Sequence, residues 1–154
     1  MPKRLSVLPL VTAVFLLSGC GSGPKVTGTV TMNGSPIDGA VVTFYGESTD
    51  PKEPADAYSG KTDSSGHFKL NVGKGATIKA GTYKVTVVKP IPKPGATMPE
   101  GVNDPTQLMS LGLTINALPP IYANAASTPL KAELKSRDTD VPLTLEGGKP
   151  PGTP

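Results

Sequence analysis

The chain has one cysteine and one histidine, and each shortage closes off a class of protein. A single thiol excludes an intramolecular disulfide, so the domain must be held by burial and backbone hydrogen bonding. A single imidazole is too few for a nitrogen or sulfur metal site, which needs several such ligands. The same count works against a Ser-His-Asp triad, because Ser64 and Ser65 fall in a turn with no third group positioned beside them. No catalytic residue, metal or cofactor is therefore expected. Charge of one sign is also scarce. Without Lys3 and Arg4, which belong to a leader, the 15 basic residues become 13 against 12 acidic ones. No basic stripe with interleaved aromatics remains, so no nucleic-acid partner is expected. What is abundant is 18 Gly and 18 Pro, too many helix breakers for a helical protein and the composition of a turn-rich, strand-rich one.

Long apolar runs are limited to Leu5 to Leu17, about 13 residues. At a rise of about 1.5 Å per residue this is too short for the roughly 30 Å hydrocarbon core, and Pro9 disfavours a spanning helix. With Lys3 and Arg4 before it and Ser18-Gly19 after it, the run has the layout of an export signal. The lone cysteine follows at once. Leu17-Ser18-Gly19-Cys20 resembles the lipobox of bacterial lipoproteins. That resemblance implies a signal peptide over residues 1–19, recognition by its peptidase through Leu17, Ser18 and Gly19, and a diacylglycerol thioether on Cys20. Two or three acyl chains anchor stably where one does not, so a membrane is the expected partner, and the export signal makes an extracytoplasmic location the expected one. Gly21, where Asp would retain the protein at the inner membrane, implies the outer membrane by the same resemblance. Residues 20–24 form the lipidated end and a tether.

From residue 25 the chain alternates with strand period. Val26, Gly28, Val30 and Met32 share one face, Asn33-Gly34 supplies turn chemistry with positive φ, and a second strand runs from Ala40 to Tyr45. Further strands are expected at Ala57 to Thr62, at His67 to Val72 with Phe68, Leu70 and Val72 inward, and at Gly81 to Lys89 with Tyr83, Val85 and Val87 inward. Two late strands, Leu130 to Lys135 and Val141 to Glu146, complete seven. His67 alternates with Phe68 and should face solvent; Lys61, Lys69, Lys84, Lys131 and Lys135 read as outward strand positions. Asp50, Glu53 and Asp56 lack the ligand spacing of a known calcium loop and read as solvated acids. Seven short strands with turns between them predict an all-β, antiparallel Greek-key sandwich over residues 25–147, followed by a flexible tail at 148–154.

The same residues carry a resemblance. Gly28-x-Val30, then Gly34-x-Pro36-x-x-Gly39-Ala40-x-Val42-x-Phe44, then Thr62-Asp63-x-x-Gly66-x-Phe68-x-Leu70, then Gly81-x-Tyr83-x-Val85-x-Val87 resemble the carboxypeptidase regulatory-like domain, a transthyretin-like sandwich. Ile121-Tyr122 and Ser127-x-x-Leu130-x-x-Glu133-Leu134 are similar to the C-terminal half of small planctomycete-type secreted lipoproteins. In carboxypeptidases that domain accompanies a separate catalytic one, so the resemblance implies a non-enzymatic binding or structural module of the cell envelope. No small-molecule substrate is identified by any residue.

Residues 90–122 break the pattern, too long for an ordinary loop. Pro90, Pro92, Pro94 and Pro99 predict an extended polyproline-like arm rather than a strand. Asp104-Pro105-Thr106-Gln107 then has an N-cap acid, Pro at the first helical position and Gln three residues after the cap, which predicts a short helix to about Leu111. Leu108, Met109, Leu111, Leu113 and Ile115 are expected to fold back over the sandwich. One alternative is that Leu108, Met109 and Leu111, within residues 98–120, dock on an envelope transporter or enzyme to which this chain is an accessory subunit, and another is that the segment is disordered.

Overall fold

The computed structural model describes residues 24–46, 56–72 and 77–147. Cys20, its Leu17-Ser18-Gly19 recognition residues, Asp50, Glu53 and the 148–154 tail lie outside the described residues. In chain order the strands are β1 (Val26–Met32), β2 (Ser35–Pro36), β3 (Val41–Gly46), β4 (Ala57–Lys61), β5 (His67–Lys69), β6 (Gly81–Val88), β7 (Pro90–Pro92), β8 (Thr114–Asn116), β9 (Lys131–Leu134), β10 (Thr139–Asp140) and β11 (Leu143–Leu145). One short helix, α1 (Pro105–Ser110), and a 3-10 turn at Pro120–Tyr122 lie in the long connection. The architecture is mostly β, and all seven strands expected from alternation are present.

β1 is the centre of the first sheet, and its backbone shows why. Val26 and Val30 face β5 and β2: the Val26 carbonyl accepts from Leu70 N at 2.9 Å, and the Val30 carbonyl accepts from Ile37 N at 3.0 Å. Lys25 and Thr27 serve the other edge, where Thr139 N donates to the Lys25 carbonyl at 3.0 Å and Val141 N to the Thr27 carbonyl at 2.8 Å. β2 and β5 are antiparallel to β1, whereas β10 and β11 run parallel to it. This departs from the wholly antiparallel expectation. The chain leaves β9 in the other sheet and crosses over before entering β10, so it meets β1 travelling in the same direction. The β1–β2 turn has the predicted geometry, with φ of 49° at Asn33 and 80° at Gly34, both positive as a two-residue hairpin requires.

The second sheet, in the order β4-β3-β6-β9, is antiparallel throughout. It pairs Val42 with Val87 and Phe44 with Val85, all four buried. The two sheets share one core: the Phe44 ring of β3 lies 6.1 Å from Phe68 of β5 and 6.4 Å from Tyr83 of β6, in tilted geometries that ring quadrupoles favour. Ile37, Ile78, Leu118 and Tyr122 are buried in the same cluster, none of them marked by strand alternation. Buried Thr62 ties the two sheets' connections together, its hydroxyl accepting from Ala40 N at 2.8 Å.

Three expectations are corrected. Val72 is 39% exposed rather than inward, because the chain leaves β1 after Leu70 and Asn71 N donates to the Ser59 carbonyl at 2.8 Å instead. Once the strand ends, the alternation no longer refers to the core. Pro90–Pro92 is a strand, not a free polyproline arm, and pairs antiparallel with β8 in a separate ribbon. Lys93 N donates to the Leu113 carbonyl and Ala117 N to the Lys89 carbonyl, both at 2.9 Å. By antiparallel alternation Pro90 and Pro92 then occupy the positions whose N–H would point away from β8, so the missing donors cost the ladder nothing. Finally, the apolar residues of the connection do not all fold back. Leu111 is 54% exposed, Ile115 44% and Met109 40%; only Leu108 and Leu113 are half-buried. A helix of six residues has one inward face, and α1 spends it on Pro105 and Leu108.

Candidate functional site

Beside its core the fold builds a cleft of about 350 Å³ between the end of the sandwich and the long connection. Each wall follows from local sequence. The β7–β8 ribbon presents Pro90, Pro92 and Thr114 to it, residues that share a face because Pro92 stands directly opposite Thr114. Ile91 and Ile115, also paired, share the other face. The ribbon is joined to β6 through Asn116, whose Oδ1 accepts from Lys89 N at 2.9 Å and from Leu118 N at 3.1 Å, while its Nδ2 donates to the Leu118 carbonyl at 3.2 Å. That one side chain holds both ends of the ribbon's entry, which places Lys89 at the cleft.

α1 supplies a second wall with Pro105 and Leu108. Its start is as predicted: the Asp104 carboxylate accepts from Gln107 N at 2.9 Å and Pro105 is the first helical residue. Its end is closed by Gly112 at φ 67°, with Leu113 N donating to the Leu108 carbonyl at 3.1 Å and Gly112 N to that of Met109 at 3.0 Å. Met98, Pro99, Val102 and Asn103 line the approach to the helix, and Asp38, Gly39 and Lys61 come from the sandwich.

The cleft is apolar along the connection and charged along the sandwich. Lys61, Lys89 and Asp38 give it a net charge of +1. Among the described residues none of the three has an ion-pair partner; the pair recorded there joins Lys79 to Asp56 at 2.9 Å on a different surface. Thr114 Oγ1 is the one buried side-chain polar atom among the described residues that lacks a hydrogen-bond partner, and Thr114 lines this cleft. Leaving such a hydroxyl unpaired costs roughly 1–3 kcal/mol.

Of the residues singled out from sequence, Leu108 lines the cleft, while Met109 and Leu111 face solvent. His67 is exposed, its Nδ1 2.9 Å from Thr29 Oγ1. Ser65 and His67 both donate backbone N–H groups to Asp63 Oδ1, at 2.8 and 3.0 Å, so the Asp63 carboxylate closes a turn and is engaged there. Among the described residues no three His, Cys, Asp or Glu side chains gather in a metal-holding group, and no helix is long and apolar enough to cross a membrane. Lys61 reads from sequence as a solvated strand position and Lys89 carries no signal of a site, while Met98, Val102 and Thr114 fall within the possible docking segment 98–120 without being singled out. Besides Leu108, the sequence features that fall at the cleft are the prolines at alternating positions 90 and 92. Comparison of the chain with protein-family models, with curated proteins and with solved structures finds no match in any of the three.

Proposed function

We propose that this chain is a lipid-anchored protein of the bacterial cell envelope whose β-sandwich is a non-catalytic binding module, with the cleft under the proline ribbon as its binding site. One observation carries the anchor: the only cysteine of the chain stands in Leu17-Ser18-Gly19-Cys20, at the C-terminal edge of an apolar segment of export-signal length. Gly21 extends the proposal to the outer membrane. The two-sheet core and the ordered motifs from Gly28 to Val87 support a transthyretin-like, carboxypeptidase regulatory-like sandwich with Greek-key connections as the finer fold. A pocket of this volume, with an apolar side and a charged side, is of the kind that holds small ligands.

The intact mass of the mature protein purified from membranes tests the anchor. A diacylated N-terminal Cys20 is expected, and Cys20→Ser is expected to move the protein out of the membrane fraction. An unmodified thiol, or cleavage away from Gly19-Cys20, overturns it. A second reading is favoured by the outward-facing Met109, Leu111 and Ile115: they form a docking surface through which the chain serves as an accessory subunit of an envelope transporter or enzyme. A photo-crosslinker at Leu111 should then capture an envelope protein in cells, and one at Lys69 on β5 should not.

A further inference from the structure

From the composition of the cleft we infer that its ligand is a small amphipathic anion, seated with its charged end against Lys61 and Lys89 and its apolar body along the connection. This rests on the reading of the sandwich as a binding module and names what that module binds. Two lysines line the sandwich side of one cleft with no acidic partner among the described residues, while the one carboxylate residue of the lining, Asp38, is not ion-paired to either. Cations left unpaired beside a low-dielectric wall attract an anion more strongly than they would in open water. The opposite wall is Met98, Val102, Leu108, Pro90 and Pro92, which offers hydrophobic contact and no charge. Thr114 lines the same cleft, and its buried hydroxyl has no partner among the described residues. A neutral apolar ligand would leave the lysines unused, and an inorganic ion would leave the apolar wall unused. Only a molecule with both characters uses both sides.

The four methionines make the test site-specific. Met98 lines the cleft, Met109 is exposed and is not among the lining residues, and Met32 is in the core. With methyl-labelled methionine in the full chain, held in neutral detergent, phenylbutyrate and its uncharged analogue phenylbutanol are titrated while the methyl resonances are followed. The expected result is a saturable shift of Met98, with Met109 and Met32 unmoved, and an affinity roughly tenfold higher for the carboxylate than for the alcohol. Lys61→Gln with Lys89→Gln should abolish that preference, and Asp38→Asn should strengthen it several-fold by removing the one opposing charge. The preference should also fall as salt is raised, a measurement that needs no variant.

Equal affinity for the two probes overturns the anion inference but leaves the cleft a binding site, so the two readings fail separately. A preference that survives the double lysine variant or high salt also overturns it. If Met109 shifts in place of Met98, or no resonance moves, both the inference and the cleft are wrong. None of these outcomes depends on whether Cys20 is lipidated.

Discussion

At Gly28 a hydrogen stands where any other residue would drive a carbon into the carbonyl oxygen of Val141 and to within 2.7 Å of the Phe68 ring. The backbone there is ordinary strand, so the constraint is proximity: β5 and the chain after β10 close on β1 from both edges at this residue. Gly28→Ala should therefore destabilise the protein by about 2–4 kcal/mol in urea unfolding, since backbone on one side and a packed ring on the other must give way. Tyr83 is constrained by its surroundings in another way. Burial first, then the charge of neighbouring Tyr58 and of Asp56 and a hydrogen bond with Tyr58, push its phenol from 10 up to about 12. Between those values the folded protein keeps a proton that the unfolded chain has lost. Stability present below pH 10 is thus lost as the pH climbs toward 12, by on the order of 2 kcal/mol. Tyr83→Phe should flatten that part of the stability profile relative to the parent protein; an unchanged slope between pH 10 and 12 would refute the assignment.

Single elements divide the long connection into a structural half and a surface half. Tyr122, at the end of the 3-10 turn, is buried; its hydroxyl donates to the Glu146 carbonyl at 3.0 Å and accepts from Glu146 N at 2.8 Å, pinning the connection to the end of β11. Buried Thr128 does the same for β6, donating to the Val85 carbonyl at 2.7 Å. α1 has no such tie and no buried residue. The two leucines of this helix and its cap should respond differently to charge. Leu111→Asp is expected to stay within about 0.5 kcal/mol of the parent, as an exposed substitution does, whereas Leu108→Asp should cost roughly 1–2 kcal/mol because its half-buried contacts line the cleft. Equal effects in chemical denaturation would mean that α1 packs differently from the arrangement described.

Over the whole molecule, the strands that close the first sheet come from opposite ends of the chain. Lys25 N donates to Asp138 Oδ1 at 2.9 Å across 113 positions of sequence, and β11 lays Leu143 and Leu145 into the core beside Val30 and Met32. Such pairing carries a large loop-closure cost that only the completed core offsets, so the two sheets should unfold together. Truncation after Lys135 removes β10, β11 and the buried Val141, Leu143 and Leu145. The truncated chain should show no cooperative urea transition by circular dichroism. A surviving transition for the second sheet alone would show that β4-β3-β6-β9 folds independently.

The alternation of Val26, Val30 and Met32, of Phe68 and Leu70, and of Tyr83, Val85 and Val87 was enough to place the seven strands and most of their inward faces, because side-chain period is a local property of extended backbone. Asn33-Gly34 and Asp104-Pro105 likewise announced a hairpin and a helix start, since turn and cap chemistry act over three or four residues. Everything that sets one segment against a distant one was decided by the tertiary structure. Proline at 90 and 92 lacks a donor whatever its neighbours, yet whether a donor is needed depends on which edge faces β8. Leu111 is apolar in any context, yet its exposure depends on which face a two-turn helix turns inward. Lys61 reads as outward on its own strand, and only the ribbon and α1, brought over it from thirty and more residues later, turn that outward side into the wall of a cleft.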